Sequence, residues 1–73
     1  MTKYKLWSGD TIFVKKLAAG DFCVFSQNPH TGKQERICHK LLPITQYFAD
    51  AQNNLDAYAD RRSLEKIPDE IAS

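Results

Sequence analysis

Four side chains of this sequence could ligate a metal or pair as nucleophile and base: Cys23, His30, Cys38 and His39. Zinc sites usually draw their ligands in closely spaced pairs. That spacing is missing here. Cys38 and His39 are neighbours, and neighbours on a strand point to opposite faces, so they form no catalytic pair. His30 falls in a turn. Two cysteines are too few for a disulfide scaffold, and free cysteine commonly packs as a small apolar residue. Two buried thiols are therefore expected, with a cross-strand disulfide as the alternative. Asp56 and Asp60 stand four apart on a predicted helix, but a lone exposed pair makes no general-acid site. The three glycines suit turns better than a phosphate loop. A pocket of useful size is hard to build in 73 residues. The expectation is a non-enzymatic protein with no metal and no cofactor.

What remains is a surface that could bind. The net charge is only +1, but it is unevenly spread. Residues 1–42 hold seven Lys and Arg against three Asp and Glu, whereas residues 43–73 hold three against six. Such a split can mark a basic binding face. Hydrophobic residues make up 42% of the chain, too many for a wholly disordered protein. No apolar run approaches the length of a membrane span. Met1 to Trp7 contain no apolar signal core, which sets the expectation of a cytoplasmic protein. The length fits a single small domain.

The elements that must position this surface read as follows. Residues 1–10 form an N-terminal segment, either a short edge strand or a flap whose Trp7 covers apolar surface. Residues 11–41 read as a β-meander. Thr11 to Leu17 are rich in β-branched and aromatic types, which favours a strand; a helix capped by Asp10 and stopped by Gly20 is the competing reading. Ala18 to Asp21 make a turn. Phe22 to Ser26 form the clearest strand. Asn28-Pro29-His30-Thr31-Gly32-Lys33 then closes a hairpin, with Pro29 preset for a type I turn and Gly32 free to be left-handed. Residues 34–41 return as the third strand, and Pro43 ends it. No internal repeat is evident.

A helix is predicted over residues 46–61 within a 45–62 segment, with Thr45 as its N-cap. Ile44, Phe48, Ala51, Leu55 and Tyr58 recur at helical spacing as its apolar stripe. Asp50, Asn53, Asn54, Asp56 and Asp60 should face water. Residues 63–73 are a tail, packed as far as Ile67 and frayed after it. The fold class is α+β, a three-stranded antiparallel sheet packed against one C-terminal helix.

Strand alternation sorts the meander into two faces. With Val24 opposite Ile37, one face holds Ile12, Val14, Phe22, Val24 and Ile37, and it should meet the helix stripe. The other holds Phe13, Lys15, Leu17, Cys23, Phe25, Arg36, Cys38 and Lys40. A single helix cannot cover both. The second face mixes cations with flat rings, a plausible nucleic-acid surface.

The order strand, strand, strand, helix, the aromatic-rich Phe22 to Ser26, the Asn28-Pro29-x-Thr31-Gly32-Lys33 turn and the alanine-rich helix together resemble the arm-type N-terminal DNA-binding domain of phage tyrosine integrases. The resemblance implies a sheet that enters the major groove of double-stranded DNA with the helix on its back. It implies DNA contacts from Lys15, Phe25, Lys33, Arg36 and Lys40, and a phage or mobile-element setting. The acidic helix departs from the family's basic character. The competing function is a protein-binding module or inhibitor of a host machine, with a homodimer through Phe13, Leu17 and Phe25 as one form of it.

Overall fold

The computed structural model describes residues 2–67. Six elements follow in order: β1 (Lys3–Lys5), β2 (Thr11–Lys16), β3 (Phe22–Gln27), β4 (Gln34–Arg36), α1 (Phe48–Arg61) and β5 (Glu65–Ile67). The architecture is α+β with one helix on an antiparallel sheet. The sheet has five strands rather than three, in the order β4-β3-β2-β1-β5. The N-terminal segment is neither edge nor flap. β1 lies inside the sheet between β2 and β5, and Trp7 covers nothing, being 86% exposed. Three-residue strands such as Lys-Tyr-Lys are too short to show an alternation that stands out from a loop.

The hairpin turns follow from local chemistry. Gly9 N–H donates to Leu6 O at 2.9 Å and Leu6 N–H to Asp10 O at 2.7 Å. Gly20 and Leu17 repeat this pattern with Leu17 and Asp21 at the same distances. Both turns read Leu-x-x-Gly-Asp, so a short internal repeat does exist. Gly9 and Gly20 hold φ of 95° and 98°, the left-handed step that closes a type I turn with a bulge, and glycine alone takes it freely. In the third hairpin the Asn28 side chain accepts from the N–H groups of His30 and Thr31 at 2.8 and 3.1 Å. This is the loop the sequence predicts.

Residues 11–16 are a strand, not a helix. Val14 pairs with Val24, and Ile37 N–H donates to Val24 O at 2.9 Å, so the expected register is correct. The third strand stops early, however. After Ile37 the chain turns, with Leu42 N–H on His39 O and Leu41 N–H on His39 Nδ1. This drops Leu42 into the core, where it is 3% exposed. A strand continued to residue 41 would leave Leu42 outside.

Thr45 does not cap the helix. Its backbone exchanges two hydrogen bonds with Phe22, and its hydroxyl donates to Tyr47 O. The helix starts instead at Phe48, behind Tyr47 and without a side-chain cap. Its buried residues are Ala51, Gln52, Leu55 and Ala59. Ile44 and Phe48 stay exposed and Tyr58 half-buried, so the apolar stripe is rotated from the one read in the sequence. The alanines let the helix lie close, while Ile12, Val14, Val24, Leu42 and Leu55 fill the layer.

Asp56, expected in water, is half-buried. It accepts from Tyr4 Oη at 2.8 Å and Gln52 Nε2 at 2.9 Å. Gln52 Oε1 has no partner among the described residues. These bonds fasten β1 to the helix. Burial pushes the Tyr4 phenol up to about 12, and the hydrogen bond to Asp56 with the charges of Asp56 and Asp60 adds to this.

The helix ends in a Schellman arrangement: Leu64 N–H donates to Ala59 O at 2.9 Å and Ser63 N–H to Asp60 O at 3.2 Å. Leu64 then packs on the core and leads into β5. The packed extension to Ile67 is thus a strand paired with β1. The fraying expected beyond it lies outside the described residues.

Two outcomes are expected. Ser63 occupies the left-handed region at φ 53°, so Ser63→Gly should stabilise the fold by about 0.5–1 kcal/mol in urea denaturation. The neutral Tyr4 phenol is favoured in the fold. Its contribution to stability is therefore whole below pH 10, the free phenol value, and is lost as pH rises toward about 12. Denaturation of wild type and Tyr4→Phe on either side of pH 10 should show a steeper alkaline loss in wild type. Equal slopes would refute this.

Candidate functional site

Alternation along the strands places Ile12, Val14 and Val24 toward α1 and their neighbours on the opposite face. Phe13 stands opposite Phe25, and Phe25 opposite Arg36. Lys15 stands opposite Cys23. Lys3 and Lys5 of β1 belong to the same face, because Tyr4 pairs with Ile12 on the helix side. One surface thus carries four cations, Lys3, Lys5, Lys15 and Arg36, around two phenylalanines.

The rings and cations are stacked. The Lys3 ammonium lies 5.2 Å from the centre of the Phe13 ring, and the Lys15 ammonium 5.0 Å from that of Phe25. Cation–π attraction and the apolar lysine stems both favour this arrangement. Phe13 is buried under its neighbours and Phe25 half-buried, while all four cations remain exposed. Lys15 Nζ also donates to Gln34 Oε1 at 2.6 Å, which fixes the ammonium above the sheet. None of the four forms an ion pair among the described residues, where Lys33 with Glu35 is the pair present.

The structure therefore brings together three of the five predicted contact residues: Lys15, Phe25 and Arg36. Lys33 is set apart. Its ammonium lies 3.6 Å from Glu35 Oε1, on the register position that faces the helix side. With Asp10, Ser26 and Thr31 it lines a small hollow of about 190 Å³ at the end of the sheet. Lys40 is set apart too. It sits in the turn that follows β4, because the third strand ends at Arg36. Of the apolar set, Phe13 and Phe25 adjoin, but Leu17 is half-buried in the β2–β3 turn.

Lys3 and Lys5 are additions to the predicted site. The repeated Leu-x-x-Gly-Asp motif could have found them. Its second copy, at Leu17, was legible as a turn between strands. The first copy, at Leu6, marks the same turn and so demands a strand before it.

The thiols are unlike each other. Both are free, Cys23 buried and Cys38 exposed. The expected second buried thiol is absent because the chain leaves the sheet after Ile37. Burial pushes the Cys23 thiol up, against the opposing pull of Arg36 and Lys15, and Cys38 adds slightly to the rise. Among the described residues no group of three His, Cys, Asp or Glu could hold a metal ion. Among the described residues no helix is long and apolar enough to cross a membrane.

No protein family, no curated protein and no solved structure matches this chain.

Titration with a thiol reagent such as Ellman's reagent should detect one fast thiol in the native protein, lost in Cys38→Ser. The second should react only on denaturation. Fast reaction of both native thiols would contradict the burial of Cys23.

Proposed function

We propose that the protein binds nucleic acid, double-stranded DNA first of all, through the sheet face opposite α1. The observation that carries this reading is the set of Lys3, Lys5, Lys15 and Arg36 on one sheet face, with Lys3 and Lys15 stacked on Phe13 and Phe25. Exposed cations on a flat sheet can each meet a phosphate. The rings beneath Lys3 and Lys15 hold those two ammonium groups in place, so they lose little side-chain freedom on contact. Asp50, Asp56 and Asp60 belong to α1, on the other side of the sheet; Glu65, opposite Lys5 on the edge strand β5, is the acidic residue that shares the cationic face. Five strands in place of three widen the face, and β1 supplies half of its cations. The integrase-like arrangement supports the reading through Lys15, Phe25 and Arg36; Lys33 and Lys40 are not needed for it. A phage or mobile-element accessory factor is the setting that this likeness suggests.

A protein partner is the second reading. It is favoured by Leu41, Ile44, Tyr47 and Phe48, which cluster along the β4–α1 connection and are 37%, 44%, 67% and 38% exposed. The set of Phe13, Leu17 and Phe25 offers less, since Phe13 is buried, Leu17 and Phe25 are half-buried, and lysines lie over the two rings.

Fluorescence anisotropy with a random duplex tests the first reading. Four phosphate contacts give a slope of log K against log salt of about −3 to −4. Affinity should fall about 100-fold between roughly 50 and 200 mM salt. Lys15→Ala with Arg36→Ala should lower the magnitude of the slope by about 2. Unchanged affinity in that variant, shown to be folded by circular dichroism, would remove the assignment.

A further inference from the structure

A second surface lies at the end of the sheet, where the β1–β2 turn faces the C-terminus of α1. Leu6, Trp7 and Ser8 on one side, and Tyr58, Arg61 and Arg62 on the other, enclose a groove of about 760 Å³. Three observations point to its use.

The first is Trp7. It is the single tryptophan of the chain and is 86% exposed. The fold does not require it. The twin turn at Leu17 makes the same hydrogen bonds with Ala18 at the matching position. An indole placed in water where an alanine suffices is available to a ligand.

The second is the state of the two arginines. Arg61 and Arg62 are exposed, and neither forms a hydrogen bond or ion pair with another side chain among the described residues. The Arg62 guanidinium lies 4.7 Å from the centre of the Tyr58 ring. Stacked in this way, a guanidinium keeps its edge donors free and its plane fixed, a geometry suited to phosphate.

The third is charge. No acidic side chain lines the groove. The Asp56 carboxylate is engaged by Tyr4 and Gln52. The terminal carbonyls of Ala59 and Asp60, which would repel an anion, are occupied by Leu64 and Ser63 N–H groups.

An exposed flat ring beside two free guanidiniums matches a base joined to a phosphate. We propose that this groove holds one unpaired nucleotide of a single-stranded nucleic acid, its base stacked on Trp7 and its phosphate held by Arg61 and Arg62. This rests on the reading of the protein as a nucleic-acid binder and adds a preference for a single strand or a frayed end. Lys5 lies at the same end of the sheet, one residue before Leu6, so the groove adjoins the basic face.

The test uses the full chain with an oligothymidylate and with a blunt duplex of equal length. Stacking should quench Trp7 fluorescence saturably with the oligothymidylate and leave it unchanged with the duplex. Trp7→Ala, and Arg61→Ala with Arg62→Ala, should each weaken single-strand binding about tenfold or more. Both variants should keep the wild-type duplex affinity, and Trp7→Ala should keep the wild-type melting temperature, as the Ala18 turn implies; circular dichroism checks that the arginine variant is folded. Single-strand binding without quenching, or binding unchanged in folded variants, overturns the groove. So does equal competition by polyglutamate, which would mark a plain anion trap. Duplex binding with no single-strand binding overturns the groove and leaves the sheet face standing. Single-strand binding at the groove with no duplex binding does the reverse. Binding of neither removes both.

Discussion

One helix has to shield one side of five strands from water, and the other features of the molecule answer to that constraint. Ile12 and Leu55 are wholly excluded from solvent where α1 crosses β2 and β3. Leu42 reaches the same layer only because the chain breaks out of β4 and turns back. Tyr4, Asp56 and Gln52 hold β1 to the helix with hydrogen bonds where apolar contact gives way to polar groups. Few residues carry this layer, and in a chain of this size each buried side chain is a large share of the whole. The alanines at 51 and 59 have the role of spacers. A larger side chain at either would lift the helix and open the layer to water.

A sheet with one covered side leaves the other in solvent. Apolar side chains there would invite aggregation, and purely polar ones would weaken the strands. The molecule uses phenylalanines under lysines. The rings give the strands cross-strand packing, and the ammonium groups keep the surface wet. The same arrangement that makes the sheet tolerable in water makes it attractive to a polyanion. Stability and the proposed function thus draw on the same residues, so a stability control has to accompany each binding variant on this face.

The parts of the fold legible in the sequence were those set by local chemistry. β2 and β3 are long enough for alternation to show, and the Asn28–Lys33 loop has its own hydrogen-bonding logic. The register of Val24 with Ile37 followed from them, and so did the grouping of Lys15, Phe25 and Arg36. The parts not legible depended on distant partners. β1 is a strand because it pairs with β2 and β5, and β5 because it pairs with β1; neither has a pattern of its own. Thr45 has the chemistry of an N-cap, but Phe22 engages its backbone. The buried helix stripe is displaced from the one that apolar spacing predicts, because Ile44 and Phe48 have core-type side chains yet stay exposed, while Gln52 is buried. Nothing in the sequence before Pro43 announces the turn at His39 that takes Lys40 off the sheet.

The pairing of Lys3 with Ile67 sets the two extremities of the described chain side by side. β1 is therefore made first and completed last. Until α1 has crossed the sheet, its outer edge has no neighbour. The contact that closes the sheet joins residues most of the chain apart, which raises contact order and slows folding relative to the β2–β3 hairpin. The same adjacency makes the topology nearly circular. A short bridge could join the strands' outer ends and the chain could be opened in the Asn28–Lys33 loop, and every strand pairing would be retained.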